Sequence, residues 1–512
     1  MPEPWRFGLA AGAGALVRMA CPTYDWWWVA PVALIPLLAA LEGLNPKKAS
    51  QIAFVTGFVW SLWAFFWITT LLIKFSGMSV LAATPLAVVF AAWHGVSFGV
   101  LGAATAYFRQ KTDWPLWLFV PPIWVCIEAV WPSIFPFYLA VTVSAQPLLA
   151  QTAELGSVTL VGALLFAFNA ALYELGRARR LNLPQRVHAG VAVALAVATL
   201  LYGAVRMDQV DEQVAQAKTL RVGVVQGNMS INEIYDKKKQ LGILHKQQRV
   251  SARLELAGAK LVVWGETSVP SSHVFSRAAM LGPKGEWEIH KGFSVPALVG
   301  ANTLDEEASP YGWNTAILVE DGTLTGLYDK VFLLVFGEYV PVVDPEWFKR
   351  QVQGAAHLNA GPGPVAFETG GVRILPLICY EGILPRFVRE GALLGVHFFA
   401  NLTNDAWFGK THESAQHLGL ATLRSIEHRK PMVRAVNTGI SSYIDPNGRV
   451  VHRTELVDPD VDGPKDAVGF NVDVPLMDPD HRTLYGLTGE LFNLLCAGFL
   501  LVALARSRRR QS

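Results

Sequence analysis

The chain has 512 residues, of which 52% are hydrophobic and 16% are charged, and its formal net charge is +2. Such an apolar composition excludes an ordinary soluble protein, because average usage is lower even when glycine is counted. The small net charge, with no stripe of basic and aromatic residues, gives no reason to expect a nucleic-acid partner.

The apolar residues are concentrated at the two ends of the chain. Residues 1–205 form a succession of apolar stretches, 206–487 resemble a globular domain, and 488–512 hold a last apolar run with a basic tail. A helix that spans a membrane needs about 20 mostly apolar residues. About eight spans are therefore predicted, at 7–20, 26–42, 52–74, 79–108, 116–138, 155–176, 187–205 and 488–505.

Basic residues in short loops predict the orientation of these spans. They follow the second, fourth, sixth and last spans: Lys47 and Lys48, Arg109 and Lys111, Arg177, Arg179 and Arg180, and Arg506 to Arg510 with Ser507 between. Those loops are predicted to be cytoplasmic, so 206–487 is predicted to lie outside the cytoplasm. The first stretch is kept as a span because Arg18 stands where a signal-peptide cleavage site needs small residues.

Few ionisable residues interrupt the apolar stretches. Lys74, Glu154 and Glu174 lie near the ends of spans, and only Glu128 lies deeper. A transporter is expected to place ionisable groups at mid-membrane depth. These four residues are instead predicted to extend their charged ends to the interface or to make helix–helix contacts.

Residues 206–487 alternate strand-like and helical patterns. Helical patterns cover 237–256 and 414–428, and Glu320-Asp321-Gly322 predicts a hairpin. Short apolar runs that predict strands lie at 219–227, 260–264, 297–300, 315–319, 372–378, 396–400 and 433–436. Strands that alternate with helices predict a layered α/β domain.

Three polar residues stand where apolar runs of this domain end. Glu266 closes one run, Lys330 comes before an apolar stretch that leads to Glu338, and Cys379 follows another run. Cys379 is the only cysteine of 206–487, and the other three cysteines lie in or beside the spans without metal-ligand spacing. Taken singly, each residue has an ordinary explanation as a solvated glutamate, a surface lysine or a buried cysteine.

Together, the three side chains supply what acyl transfer by a thiol requires. A carboxylate can accept the thiol proton, because the thiolate is the form that attacks. A fixed cation lowers the pKa of the thiol and stabilises the oxyanion of the tetrahedral intermediate. A second carboxylate can hold these groups in place or return the proton to the leaving oxygen.

The Glu–Lys–Cys order in these contexts resembles the nitrilase (carbon-nitrogen hydrolase) superfamily. Seven or eight spans with that domain before the last one resemble the apolipoprotein N-acyltransferase family of bacterial inner membranes. The resemblance covers essentially the whole chain, and further matching stretches are Val225-Gln226-Gly227-Asn228, Trp313-Asn314-Thr315, Phe336-Gly337-Glu338 and Asn404-Asp405-Ala406-Trp407-Phe408-Gly409. It implies an αββα sandwich on the periplasmic side and no metal or organic cofactor.

The resemblance also implies residue roles. Cys379 would be the nucleophile, Glu266 the general base and Lys330 the oxyanion stabiliser. Supporting roles would fall to Glu338, Tyr380 and Glu381, and substrate binding to Asn314, Tyr235, Trp407 and Phe408.

The implied chemistry is a two-step exchange between lipids. Cys379 would take the sn-1 acyl chain of a phospholipid, typically phosphatidylethanolamine, as a thioester. The α-amino group of the N-terminal diacylglyceryl-cysteine of an apolipoprotein would then accept the chain. The alternative is a membrane-tethered amidohydrolase of the same fold, in which water completes the reaction. A transporter or scaffold with a degenerate domain is disfavoured by the intact Glu–Lys–Cys set.

Three positions depart from the family pattern. Gly265 replaces a proline before the base, Tyr235 replaces a tryptophan, and Val335 replaces a proline before Phe-Gly-Glu. The apolar run 331–336 is predicted either to line an acyl-chain groove or to form a buried strand. His412, His417 and His428 are predicted to be ordinary histidines, because no carboxylate or cysteine pattern converges with them in the sequence.

Overall fold

The structure is a computed structural model that describes residues 1–177, 183–269, 275–277, 280–305, 309, 311–340, 344–352, 356–463 and 465–509. Arg179, Arg180 and Arg510, on which the predicted orientation partly depends, lie outside the described residues. The chain divides into two compact units. The first comprises Met1–Thr69, Val80–Gln209 and Thr483–Ser512, and the second comprises Thr70–Ser79 and Val210–Arg482.

The N-terminal part of the chain is helical. Its helices are α1 (Glu3–Ala20), α2 (Ile35–Ala40), α3 (Pro46–Ala64), α4 (Trp67–Ser76), α5 (Val80–Lys111), α6 (Leu116–Val130), α7 (Ala153–Gly176) and α8 (Leu183–Gln216). Among the described residues, α5, α7 and α8 are long and apolar enough to cross a membrane. The pair α3 and α4, bent by 51°, would make a fourth span. The structure therefore supports about three or four spans where the sequence predicts eight.

Prolines account for part of this difference. The predicted span at 26–42 is wrong as a single helix: it forms a 3₁₀ turn at Trp27–Val29 and the short helix α2. Pro31 and Pro36 lie within this stretch, and proline has no N–H group for a helix interior. Helix α6 has only 15 residues and contains Pro121 and Pro122.

Two of the predicted helix–helix contacts are present in the first unit. Arg206 of α8 donates a hydrogen bond to Glu154 of α7 at 2.7 Å. Arg109 of α5 donates to Glu174 of α7 at 3.0 Å. These carboxylates therefore link helices, as expected for charges at the ends of apolar segments.

The second unit contains thirteen described strands. They are β1 (Thr219–Gln226), β2 (Leu261–Val263), β3 (Phe275–Ser276), β4 (Ala297–Leu304), β5 (Trp313–Glu320), β6 (Thr323–Asp329), β7 (Phe367–Thr369), β8 (Val372–Ile378), β9 (Phe398–Thr403), β10 (Met432–Val436), β11 (Ser442–Ile444), β12 (Val450–Arg453) and β13 (Val468–Pro475). One sheet has the order β13-β1-β2-β4-β5-β6 with β3 beside β4, and the other has the order β12-β11-β10-β9-β8-β7. The predicted hairpin is confirmed, since Glu320 pairs with Thr323.

The second unit also contains helices, which are α9 (Ile231–Tyr235), α10 (Gln240–Leu256), α11 (Pro345–Gln351), α12 (Pro385–Ala392), α13 (Glu413–His428) and α14 (Pro459–Asp462). Helices α15 (Leu484–Thr488) and α16 (Leu491–Arg509) belong to the first unit. Strand β1 contacts β10 and β5 contacts β8, so the sheets face each other. Helix α10 packs on β1 and β13, while His428 of α13 lies against Phe399 of β9. The layers agree with the predicted αββα sandwich.

Candidate active site

Cys379 lies at a sharp turn after a buried strand. Strand β8 ends at Ile378, and a 3₁₀ turn covers Cys379–Ile383. The φ angle of Cys379 is +55°, a left-handed conformation that costs free energy for a residue with a Cβ. Asn401 of β9 donates a hydrogen bond to the Cys379 carbonyl at 3.0 Å. A neighbouring strand therefore helps to hold the backbone that positions the thiol.

Glu381 joins the cysteine turn to the segment that follows Lys330. Its Oε1 accepts hydrogen bonds from the N–H groups of Val331 (2.7 Å) and Phe332 (3.1 Å). Its Oε2 accepts from the Ile378 N–H at 2.8 Å and from the Tyr328 hydroxyl at 2.7 Å. Burial raises the pKa of Glu381 to about 7, while these hydrogen bonds oppose the shift. The predicted supporting residue thus connects the two sheets next to the thiol.

Lys330 is enclosed by carboxylates. It follows β6, is almost fully buried, and its Nζ donates to Glu266 Oε1 at 3.1 Å and to Glu338 Oε1 at 2.9 Å. Asn314 Nδ2 donates to the same two oxygens at 2.7 and 2.8 Å. Asn314 lines the cavity described below, but its amide also fixes both carboxylates, a contact that the sequence did not predict.

The charges around Cys379 act in opposite directions on its thiol. Burial raises the pKa of Cys379 well above its ordinary value, and the negative charge of Glu266 adds to this effect. The cation of Lys330 opposes them. Burial alone would lower the pKa of Lys330, but Glu266 and Glu338 raise it well above its ordinary value. Cys379 is thus a thiol at rest beside a permanent cation.

Burial also raises the pKa of Glu266, against the effect of the Lys330 cation. A carboxylate with a raised pKa is a better proton acceptor at neutral pH than an ordinary one. The raised pKa of Glu266 is compatible with the role of general base that the resemblance implies.

Gly265 stands where the structure leaves little room for a side chain. A Cβ on this residue would lie 2.9 Å from the backbone nitrogen of Asn437 and 3.1 Å from the carbonyl oxygen of Thr403. The backbone just before Glu266 thus approaches the other sheet too closely for a side chain.

Several of the charged and polar side chains described above line one cavity of about 150 Å³. Cys379, Glu266, Lys330, Glu338 and Asn314 line it together. Its remaining walls are mainly apolar or aromatic: Leu71, Phe75, Ile231, Ile234, Tyr235, Leu334, Leu358, Trp407 and Phe408. A thiol in a cavity with apolar walls is compatible with a substrate that has a hydrocarbon chain.

The predicted substrate-binding residues all reach this cavity. Tyr235 ends α9 and is 60% exposed, and Trp407 and Phe408 follow β9 in a short turn. Tyr380 is not among the residues that line the cavity, but it lies beside it: its hydroxyl donates to the Leu333 carbonyl at 3.2 Å, and its ring faces Lys330. The run 331–336 is a loop and not a strand, with Leu334 in the cavity wall.

Leu71 and Phe75 are among the cavity residues that sequence reasoning missed. They come from residues 70–79, far from the catalytic motifs in the chain but part of the same compact unit. The lone charge of Lys74 in an apolar stretch was the available signal.

His417 has carboxylate neighbours that the sequence pattern did not indicate. Its Nδ1 lies 3.6 Å from both Asp405 Oδ1 and Glu413 Oε1, and all three residues are buried. The buried guanidinium of Arg434 adds a positive charge that interacts with both carboxylates. A fixed cation in that position disfavours a metal ion among these ligands.

Comparison with known proteins relates both parts of the chain to one group. The family model described as apolipoprotein N-acyltransferase N-terminal domain matches residues 13–171, and the model described as carbon-nitrogen hydrolase matches residues 221–458. The chain is similar to apolipoprotein N-acyltransferases in both of its parts.

Relatives in this family extend over nearly the whole chain. An apolipoprotein N-acyltransferase of Geobacter metallireducens is 29% identical, with 98% of this chain and 95% of the relative covered. One of Rhizobium meliloti is 32% identical over 60% of this chain and 58% of the relative. A solved amidase of the nitrilase superfamily from Nesterenkonia AN1 shares 18% identity, with a TM-score of 0.38, over 55% of this chain and 98% of its own.

Proposed function

We infer that this chain is an N-acyltransferase of lipoprotein maturation, as are the relatives that match its full length. The observation that carries the mechanism is the single cavity in which Cys379, Glu266 and Lys330 meet apolar walls. We propose that Cys379 carries the acyl chain as a thioester between two lipid substrates. The donor is a phospholipid, typically phosphatidylethanolamine, and the acceptor is the α-amino group of an N-terminal diacylglyceryl-cysteine.

In the first half-reaction Glu266 accepts the thiol proton while Cys379 Sγ attacks the carbonyl carbon of the sn-1 ester. Lys330 stabilises the oxyanion. Two observations support this role: Lys330 keeps its positive charge, and its contacts to Glu266 and Glu338 hold the ammonium group in place. The tetrahedral intermediate collapses by breaking the carbon–oxygen bond. Glu266 gives its proton to the leaving oxygen, and lysophospholipid departs.

In the second half-reaction the acceptor amine attacks the thioester. Glu266 removes a proton from the amine and passes it to the departing Cys379 sulfur, which restores the thiol. No oxidant or reductant takes part, and the exchange is ping-pong because one product leaves before the acceptor reacts. The apolar walls limit access of water, which favours the amine as acceptor.

The remaining predicted residues act through position and shape. Glu338 holds Lys330, and Glu381 holds the nucleophile turn. Tyr235, Trp407 and Phe408 are proposed to contact the acyl chains of both substrates, since they supply the cavity's aromatic surface. Asn314 orients the base through its hydrogen bond to Glu266.

We also propose a multi-pass topology in the bacterial inner membrane. The predicted domains are 1–205 with the N-terminal spans, 206–487 with the catalytic site, and 488–512 with a last span and a basic cytoplasmic tail. The catalytic domain would then lie on the periplasmic side. The distribution of basic residues in the short loops supports this orientation.

Intact mass spectrometry after incubation with phosphatidylethanolamine tests the reaction. We expect a mass gain of one acyl chain on Cys379, cleared by a diacylglyceryl-cysteine peptide. The same adduct is expected to be absent from Cys379→Ala protein, and a thioester formed by that variant would contradict the assignment.

The second step separates the transferase from the hydrolase. Clearance that depends on the peptide amine supports transfer, whereas equally fast clearance by water alone would favour the amidohydrolase. No adduct with any phospholipid would contradict both enzymes.

A further inference from the structure

Lys74 of α4 contacts two carboxylates in and beside the short helix α14. Its Nζ lies 3.0 Å from Asp458 Oδ2 and 3.1 Å from Asp460 Oδ2, and it donates to the Ala406 carbonyl at 3.4 Å. The side chain of Lys74 is 21% exposed and that of Asp458 is 5% exposed. This group of Lys74, Asp458 and Asp460, here called the Lys74 clasp, is partly shielded from water and is therefore stronger than an exposed ion pair.

The Lys74 clasp joins two parts of the cavity wall. Leu71 and Phe75 stand on the same helix as Lys74 and line the cavity with Cys379. The Phe75 ring packs edge-on against Trp407, with ring centroids 5.4 Å apart. The residue before Trp407 is Ala406, whose carbonyl accepts the bond from Lys74. One ammonium group thus holds the helix and the aromatic turn together.

Gly409 allows this close approach. Its φ angle is +63°, and a Cβ there would lie 3.2 Å from Asp458 Oδ2 and 3.4 Å from Lys74 Nζ. The turn that carries Trp407 therefore ends against the clasp itself. A change in the Lys74 clasp therefore acts on the cavity residues Phe75 and Trp407 through direct contacts, and no intervening residues are needed.

We propose that Lys74 is a positioning residue that sets selectivity for long acyl chains. The clasp holds the helix that carries Leu71 and Phe75 next to the turn of Trp407. These three side chains line the cavity and are assigned to the distal part of the donor's hydrocarbon chain. On this proposal, a short chain makes fewer contacts with this wall than a long one and gains less from it. The inference rests on the proposed function, because it names which donors that same cavity prefers.

Steady-state kinetics of the full-length Lys74→Met enzyme in mixed micelles test this role. The donors are dipalmitoyl and dihexanoyl phosphatidylethanolamine, with one diacylglyceryl-cysteine peptide as acceptor. We expect kcat/KM for the dipalmitoyl donor to fall about tenfold, mainly through KM, with little change for the dihexanoyl donor. Iodoacetamide should alkylate Cys379 at the wild-type rate, because no catalytic contact changes. Lys74→Arg should restore most of the selectivity.

Lys410→Met provides a matched control. Lys410 also pairs with an aspartate of the same short helix, Asp462, at 3.0 Å, but it does not line the cavity. This variant should keep wild-type selectivity. If Lys74→Met folds poorly, Asp460→Asn removes one partner and leaves the Asp458 contact. It should shift selectivity in the same direction by a smaller factor.

Two results would overturn the inference while leaving the proposed function intact. One is equal loss of kcat/KM for both donors, which indicates a general structural role. The other is unchanged selectivity in a folded Lys74→Met enzyme. A wild-type protein that forms no acyl adduct on Cys379 would instead overturn the proposed function, and this inference with it.

Discussion

The thiol of Cys379 reports on the two charged groups assigned to catalysis. Glu266 raises the pKa of the thiol and Lys330 lowers it, on top of the larger effect of burial. Removing either charged group therefore shifts the pKa of the thiol in a known direction. The thiolate is the form that reacts with iodoacetamide, so alkylation measures this shift without any lipid substrate.

We predict opposite effects of two substitutions on the alkylation rate of Cys379. Glu266→Gln removes a negative charge, lowers the pKa of the thiol and speeds alkylation at pH 8. Lys330→Met removes a positive charge, raises this pKa and slows alkylation. Acyl transfer should nevertheless fall in both variants, by about 10²–10⁴ for loss of a general base and about 10²–10³ for loss of an oxyanion donor.

Mass spectrometry of the alkylated peptide distinguishes Cys379 from the other three cysteines. The pH at half-maximal alkylation should move down for Glu266→Gln and up for Lys330→Met relative to wild type. A shift in the same direction in both variants would contradict the proposed arrangement of charges.

At this scale the sequence indicated the reacting groups but not their neighbours. Glu266 and Cys379 were found because each follows an apolar run, and Lys330 because it precedes one. Strand ends of a layered fold converge. The bonds from Asn314 to Glu266 and Glu338 were not found. The position of an asparagine within a strand does not indicate which carboxylates its side chain will contact in the fold.

At the scale of elements, the close approach of the two sheets beside Glu266 makes Gly265 sensitive to any side chain. We predict that Gly265→Ala lowers the free energy of unfolding by about 1–3 kcal/mol, as overpacking does in a well-packed core. Its Cβ would meet backbone atoms of Asn437 and Thr403, which cannot rotate away. Gly265→Pro, which restores the family's usual residue, adds the same atom and should destabilise at least as much.

Gly242→Ala is the control for this prediction. Gly242 lies in α10 with open space at its Cβ position, and alanine favours a helix over glycine. Thermal unfolding followed by circular dichroism should show a lower midpoint for the Gly265 variants and an equal or higher one for Gly242→Ala. Equal midpoints for Gly265→Ala and wild type would contradict the steric account.

Strands were easier to predict than spans. Apolar runs bounded by turn residues predicted the ends of β1, β8 and β10 to within about one residue. Hydropathy alone did not separate one long helix from two short pieces at 26–42. Whether residues 26–42 form one continuous helix depends on whether their prolines lie at a helix start or in a helix interior. Hydropathy does not distinguish these two positions.

At the scale of the whole molecule, the proposed orientation is testable by labelling from one side of the membrane. Single cysteines are placed at Glu286 and Lys47, both exposed, in a background without the four native cysteines. A membrane-impermeant maleimide added to spheroplasts should label the Glu286→Cys protein at once. The Lys47→Cys protein should react only after permeabilisation, because its loop is predicted to be cytoplasmic.

Both proteins should label equally once the membrane is dissolved in detergent, which controls for intrinsic reactivity. Immediate labelling of Lys47→Cys in intact spheroplasts would reverse the proposed orientation.

The wall formed by Leu71 and Phe75 has a consequence for chimeric enzymes. Residues 70–79 are separated from 210–482 in the chain, yet both belong to one compact unit. Consider a gene fusion that exchanges only the segment 210–482 between two relatives. In the product, Cys379 would come from one relative, and Leu71 and Phe75 of the cavity wall would come from the other. The unit that can be transplanted is therefore discontinuous, and swapping it intact requires two crossover regions in the coding sequence.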